Sequence, residues 1–120
     1  MRKDRISVIY KEPGQQPYVR EMDNTLEAFQ GLVLGYIEHF PIGSDWGIVI
    51  NEEGKLNGMK YNFTACGEPI FGPAIFVGVD RDEFTDFPSS WEDFQLAFPF
   101  LFKTKQDPTG GADVIRYNNE

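Results

Sequence analysis

The 120-residue sequence has very few of the residues that form disulfides, metal centres or thiol and imidazole catalytic pairs. It contains one cysteine, Cys66, and one histidine, His39. A lone cysteine excludes an internal disulfide, and the two residues cannot supply the cysteine and histidine cluster that holds zinc. Cations are also scarce, with 11 lysines and arginines against 19 acids and a formal charge of −8. This charge argues against direct binding of nucleic acid or of an anionic membrane, because both need clustered cations.

Long apolar runs are missing as well. No stretch approaches the roughly 20 apolar residues of a membrane-spanning helix, and no apolar signal peptide follows the start MRKDRISVIY. We therefore expect a soluble intracellular protein. What the chain does have is aromatic residues, 15% of the total with 11 phenylalanines, so it can bury one core and fold as one domain.

The order of local patterns predicts a single α+β domain over residues 1–103. Short apolar runs predict strands at Ile6–Tyr10, Tyr18–Met22, Tyr36–Phe40, Trp46–Asn51 and Ala74–Val79. Apolar residues at helical spacing predict a main helix from Thr25 to Leu34 and a short aromatic helix from Ser90 to Phe98. We expect an antiparallel or mixed sheet of about five strands with the main helix on one face. The polar composition of residues 104–120 predicts a loose tail.

Two patterns predict where the main helix begins and ends. Asn24, followed three residues later by Glu27, is typical of a capping box in which each side chain bonds an amide of the other. Gly35 is placed to end the helix in the left-handed conformation.

The stretch VINEEGKLNGMKYNFTA, residues 49–65, joins an apolar strand to a polar cluster. Residues 52–55 predict a hairpin turn in which Gly54 has a positive φ and Leu56 begins the returning strand. Met59–Ala65 is then expected to be irregular or a short helical turn.

Three stretches, VREMDNTLEAFQGLVLGYIE, VINEEGKLNG followed by YNFTA, and IFGPAIFVGVDRDEFTDF, resemble a family of small phage, plasmid and conjugative-element proteins. That family is known only as a domain of unknown function, and the likeness covers Ile6 to Phe87. The family usually has two glycines before Tyr-Ile-Glu, where Leu34 replaces the first, and often a proline where this chain has Met59-Lys60-Tyr61. The resemblance implies a mobile-element accessory protein of the bacterial cytoplasm, and it supplies no catalytic residues.

Lys60, Tyr61, Asn62 and Thr64 form a candidate ligand site, with Arg81 as a further cation. They suit a small phosphorylated, nucleotide-type ligand, because a tyrosine ring can stack on a base while asparagine offers donors and an acceptor. The alternative is that Asn62 bonds backbone groups in a turn and Tyr61 is half-buried for structural reasons.

Six acids crowd residues 80–93. Among them, Asp82, Glu83, Asp86 and Asp93 could imitate the phosphate spacing of DNA and occupy the basic groove of a host protein. The alternative is a solvated acidic face that keeps the protein soluble.

The segment that follows is densely apolar, and Trp91 and Phe94 are its candidate contacts for a partner. The other members are Leu96, Phe98, Phe100, Leu101 and Phe102. A chain of this size cannot easily bury all of them, so part of the segment could form a self-association surface. We expect a homo-oligomer, with a symmetric dimer favoured.

These patterns predict a non-enzymatic protein with no cofactor and no metal, because no paired nucleophile and base, phosphate loop or dinucleotide motif is present. The leading hypothesis is a counter-defence protein that sequesters a small nucleotide-type signal. The alternatives are an acidic, DNA-mimic inhibitor of a host restriction or nuclease enzyme, and a protein-interaction module of another role.

Overall fold

The computed structural model describes residues 3–102 and the backbone of residues 114–115. In chain order the elements are β1 (Arg5–Lys11), β2 (Tyr18–Asp23), α1 (Leu26–Val33), β3 (Ile37–Pro41), β4 (Trp46–Asn51), β5 (Tyr61–Ala65), β6 (Glu68–Phe71), β7 (Ala74–Asp80), β8 (Glu83–Thr85), α2 (Trp91–Ala97), a 3₁₀ helix (Pro99–Phe102) and β9 (Val114–Ile115). The predicted α+β class, main helix and short aromatic helix are confirmed. Apart from β9, the tail expected over 104–120 lies outside the described residues.

The main sheet has six strands in the order β2-β1-β7-β4-β3, with β8 also paired to β7. All of these pairs are antiparallel. β7 is the central strand, because β4 lies along one side of it while β1 and then β8 lie along the other. The unbroken apolar run of β7 is buried from Ala74 to Val77, as expected for a strand covered on both faces.

Side chains of β7 alternate between two hydrophobic clusters, one on each face of the main sheet. Ile75 packs with Phe29 of α1 on the first face. Phe76 packs with Phe63 of β5 and Phe94 of α2 on the second face. The domain therefore has three layers: α1, the main sheet, and a cover made of the second sheet, α2 and the 3₁₀ helix.

The N-terminus of α1 differs from the predicted capping box. Thr25 is the N-cap, and its Oγ1 accepts a hydrogen bond from the amide of Ala28 at 3.1 Å. Asn24 lies one residue earlier and is buried, and its side chain donates to the carbonyls of Lys3 and Phe84. The prediction was wrong because threonine can also cap a helix, and because bonds to Lys3, which precedes β1, and to Phe84 of β8 place Asn24 outside the helix.

The C-terminus of α1 also differs from expectation. Leu34 occupies the left-handed conformation, with φ 68°, in place of Gly35. Gly35 is required for a different reason: a Cβ there would lie 2.6 Å from Nδ2 of Asn51. The Asn51 amide donates to the carbonyls of Val33 and Leu34 and so satisfies the end of the helix.

The hairpin predicted at residues 52–55 is wrong. The chain makes consecutive turns from Glu52 to Gly58, the left-handed glycine is Gly58 rather than Gly54, and no strand returns beside β4. Tyr61–Ala65, expected to be irregular, is strand β5, and the following loop contains strand β6. Both belong to a second sheet, in the order β6-β5-β9, with β5 parallel to β9. The two strands escaped prediction because their pairing partners, rather than local alternation, make them strands.

The aromatic segment packs within the chain, on the second face of the main sheet. Phe94 and Leu101 are buried there, and four further aromatic residues pack against the same cluster: Trp91, Phe98, Phe100 and Phe102. Leu96 is 80% exposed. None of the helices within residues 3–102 is long and apolar enough to cross a membrane.

Candidate functional site

Asn62 is a buried structural residue rather than an exposed ligand contact. A β-bulge between Tyr61 and Phe63 turns its side chain inward, where it is 4% exposed. Its Oδ1 accepts a hydrogen bond from Nζ of Lys11 at 2.7 Å, and its Nδ2 donates to the carbonyls of Lys11 and Gly72, both at 2.9 Å. The amide thus makes three hydrogen bonds within the protein, from a strand rather than from the turn of the alternative interpretation, and both of its N–H groups are engaged by backbone carbonyls.

Lys11 is the charged partner of this buried network, and sequence patterns gave no reason to expect it. The side chain is 1% exposed at the end of β1, and its Nζ lies 5.9 Å from the ring centroid of Phe63. Charged side chains are rarely buried to this extent without hydrogen bonds. The Lys11–Asn62 pair joins the end of β1, in the main sheet, to β5 of the second sheet.

Three of the five candidate ligand residues are accessible at the surface within one stretch of five residues. Lys60 is exposed, while Tyr61 and Thr64 are half-buried with 2.6 Å between their hydroxyl oxygens. Arg81 is not near them. The amide of Gly72, just before β7, donates to the carbonyl of Lys60, whereas Arg81 follows the far end of β7. The length of that strand puts Arg81 about 20 Å from the cluster.

The acidic candidates Asp82 and Glu83 lie at the tip of the β7–β8 hairpin. Asp80 pairs with Glu83, so Arg81 and Asp82 form the two-residue turn between the strands. Both turn residues have positive φ, 53° and 68°, which matches the turn type that fits the twist of a tight hairpin. The side chains of residues 80–83 are all exposed. The turn therefore displays three carboxylates and one guanidinium on a short, regular hairpin.

Asp86 differs from the other acidic candidates because it holds the sheet together. Its Oδ2 accepts a hydrogen bond from the ammonium of Lys3 at 2.5 Å, and its Oδ1 accepts from the amide of Ser7 at 2.8 Å. The Lys3 ammonium and the Ser7 amide lower the pKa of the Asp86 carboxyl below its ordinary value. Asp86 thus ties the end of β8 to β1.

Of the candidates on α2, only Asp93 is fully exposed. It lies in the first turn of the helix, and its amide donates to Oγ of the N-cap Ser90 at 3.1 Å. Trp91 is half-buried against the ring of Phe94, and Phe94 is 1% exposed in the core. Phe94 therefore lies in the core of the domain, with almost none of its ring at the surface.

A groove of about 570 Å³ lies between β6 and the neighbouring face of β3 and β4. Its apolar lining includes Phe40, Ile50, Ile70 and Phe71. Its charged residues are Glu38, Glu52, Glu68 and Lys55, all of them exposed. The ion pairs of the described residues, Lys3–Asp86 and Arg5–Asp23, involve none of these four side chains.

Sequence analysis missed the groove because it predicts no strand between Ala65 and Ala74, where β6 lies. One indication was present in the predicted third strand, where Glu38 and Phe40 stand two residues apart and so point to the same face. Whether Glu52, Lys55 and Glu68 line the groove depends on how the second sheet packs against the main sheet.

His39 lies on β3, on the opposite face from Glu38. Its Nε2 is buried, has no hydrogen-bond partner within the described residues, and its ring meets Phe84 edge-on at 5.3 Å. Burial lowers the pKa of the His39 imidazole, so the ring is held neutral. Across the described residues, no group of three or more potential ligands could hold a metal ion.

Comparison with known protein families finds a match over most of the chain. A family model for a domain of unknown function, DUF3846, matches residues 6–98. The chain belongs to the DUF3846 family. The match runs from β1 to the end of α2, so the DUF3846 domain includes the Lys11–Asn62 pair, the acidic hairpin and the groove. No curated protein and no solved structure matches the chain.

Proposed function

We propose that this DUF3846 protein is a non-enzymatic accessory protein of a phage, plasmid or conjugative element, and that it acts in the bacterial cytoplasm against host defence. Its mode of action is binding of a basic host protein through acidic surface. The observation that supports this mode is the β7–β8 hairpin, which presents exposed carboxylates of Asp80, Asp82 and Glu83 on a short regular turn. Carboxylates fixed in position can occupy a basic groove that otherwise receives phosphates.

Asp93 is a further exposed carboxylate available to a basic partner, whereas Asp86 is not. The carboxylate of Asp93 is exposed on the first turn of α2. The carboxylate of Asp86 already accepts hydrogen bonds from Lys3 and Ser7, so part of its charge is satisfied within the domain. A DNA-mimic surface would therefore use Asp82, Glu83 and Asp93, with Asp86 holding the hairpin against β1.

Sequestration of a nucleotide-type signal is the second candidate, supported by the cluster of Lys60, Tyr61 and Thr64. An exposed ammonium and two contacting hydroxyl groups within five residues suit a phosphate. The acidic binding mode is preferred because Asn62 is already fully engaged and Arg81 lies about 20 Å away, a distance set by the length of β7. That leaves one cation at the cluster in a protein with a formal charge of −8.

The two modes are tested by a phage-protection assay with two sets of substitutions. The first set is Asp82→Asn, Glu83→Gln and Asp93→Asn, which removes charge from exposed positions and keeps side-chain volume. The second set is Lys60→Ala, Tyr61→Phe and Thr64→Ala.

Loss of counter-defence in the first set alone supports the acidic binding mode, and loss in the second set alone supports sequestration. Full activity of both variants would refute both modes. Native mass spectrometry of the purified chain gives an independent measurement, because a sequestered nucleotide would add a discrete mass.

Self-association remains part of the proposal, with a symmetric dimer favoured. The sequence predicts self-association through the aromatic segment, but that segment is packed within the domain except for Leu96. Exposed apolar residues elsewhere now support it better, in particular Tyr18 and Val19 on the edge strand β2, which are 44% and 46% exposed. Sedimentation at several concentrations tests it.

A further inference from the structure

We propose that the groove between β6 and β3–β4 binds an extended peptide segment of a partner protein in which lysine or arginine residues alternate with apolar residues. This goes beyond the acidic hairpin, because it assigns a second binding surface at the other end of the main sheet. The groove adjoins Ile50 and Asn51 at the end of β4, beside the start of β7. The hairpin begins at the far end of β7.

The dimensions of the groove suit an extended chain. Every residue of β6, Glu68 to Phe71, lines it, although consecutive strand residues point to opposite faces. The edge of β6 that pairs with no other strand of the described residues, rather than one of its faces, therefore adjoins the groove. Its four residues extend for about 13 Å, which is the length of a similar number of residues in an extended ligand.

The partner segment would be held by side chains more than by strand addition. Pro69 lies in the middle of the β6 edge and has no amide proton to donate to a further strand. The apolar lining offers Phe40, Ile50 and Phe71, each half-buried, as a surface for aliphatic or aromatic side chains. A peptide in which basic and apolar residues alternate would place its apolar side chains against this apolar lining.

The exposed carboxylates along the groove favour a partner segment with basic residues. Glu38, Glu52 and Glu68 are exposed at the groove, and no ion pair engages them within the described residues. Lys55 is the single cation of the described lining, so carboxylates outnumber ammonium groups three to one. The overall charge of −8 adds long-range attraction for a cationic partner.

The walls of the groove are held in place before any ligand binds. Oδ1 of Asn51 accepts a hydrogen bond from the amide of Glu53 at 2.7 Å, which fixes the turn that carries Glu52 and Lys55. The same turn meets β6 closely, since a Cβ at Gly54 would lie 2.5 Å from the carbonyl oxygen of Phe71. Binding therefore requires little ordering of the protein, which favours affinity.

The test is fluorescence anisotropy of the full chain with a short dye-labelled peptide of alternating lysine and leucine. We expect saturable binding that weakens about tenfold in the double variant Glu38→Gln, Glu68→Gln, as the loss of two attractive charges predicts. The matched control is Glu21→Gln, Glu27→Gln, which removes the same charge at exposed positions outside both the groove and the acidic hairpin and should leave the affinity unchanged.

Two further peptides separate the groove from general charge attraction. A peptide with serine in place of leucine should bind at least tenfold more weakly, and one with glutamate in place of lysine should not bind. Equal affinity of the serine peptide, equal weakening by both double variants, or no binding of the lysine-leucine peptide would each overturn the proposal. None of these outcomes alters the test of the acidic hairpin, which depends on counter-defence and on Asp82, Glu83 and Asp93.

Discussion

Replacement of Asn62 by alanine is expected to destabilise the domain strongly, although the residue belongs to a predicted ligand site. The substitution removes three hydrogen bonds from a position that is 4% exposed. One of them comes from the ammonium of Lys11, which is 1% exposed, and the other two go to the carbonyls of Lys11 and Gly72. The change therefore acts on two strands and a loop at once.

The size of the effect follows from the groups that lose a partner. A buried polar group that loses its hydrogen bond costs about 1–3 kcal/mol, and a charged group costs more. The carbonyls belong to the lower end of that range, because each has a second lone pair, and the Lys11 ammonium belongs to the upper end. We expect the free energy of unfolding to fall by about 3–5 kcal/mol, a large part of the about 5–15 kcal/mol that holds a typical domain folded.

The measurement is urea unfolding followed by tryptophan fluorescence, which reports on Trp46 in the core. A loss of this size lowers the urea midpoint by about 2 M. The matched control is Asn57→Ala, at an exposed asparagine in the turn after β4, and its effect should stay within about 0.5 kcal/mol. If Asn62→Ala lowered stability by less than about 1 kcal/mol while abolishing counter-defence, the structural role assigned to Asn62 would be refuted and a ligand role favoured.

Three further predictions concern backbone conformation and pH. Leu34→Gly should raise the free energy of unfolding by about 0.5–1 kcal/mol, because relief of the left-handed leucine outweighs the entropy that glycine adds to the unfolded state. The leucine side chain is 67% exposed, so little packing is lost. A lower urea midpoint would contradict this prediction. Burial lowers the pKa of His39, so the unfolded state takes up a proton first as pH falls below 6.5, and stability should decline there through the folded-state pKa. His39→Gln should remove that part of the decline in melting temperature, and an identical pH profile would disprove the assignment. Burial, followed by the charge of Glu12, raises the pKa of Tyr10 to about 12 from 10.0, so its contribution to stability is complete below pH 10 and lost as pH rises through 12. Tyr10→Phe should delete the last phenolate step in an absorbance titration, whereas an unchanged titration would count against the assignment.

The candidate site could be predicted only in part, because the direction of a side chain depends on distant pairing. Lys60, Tyr61 and Thr64 lie within five residues of one another, so their proximity follows from the sequence. The burial of Asn62 depends on a bulge that forms only when β5 pairs with β6, and no local pattern indicates it. The separation of Arg81 likewise depends on the full length of β7.

The sequence by itself determined the α+β class, the main helix and the strands that became β1, β2, β3, β4 and β7. Each of these has a periodic apolar pattern or a continuous apolar run that local sterics and burial translate directly into helix or strand. Only the tertiary structure decided that residues 61–65 and 68–71 form a second sheet, that Leu34 takes the left-handed position, and that a groove opens beside β6. The physical reason is that these features arise from hydrogen bonds and packing between segments far apart in the chain, whose combined free energy overrides weak local preference.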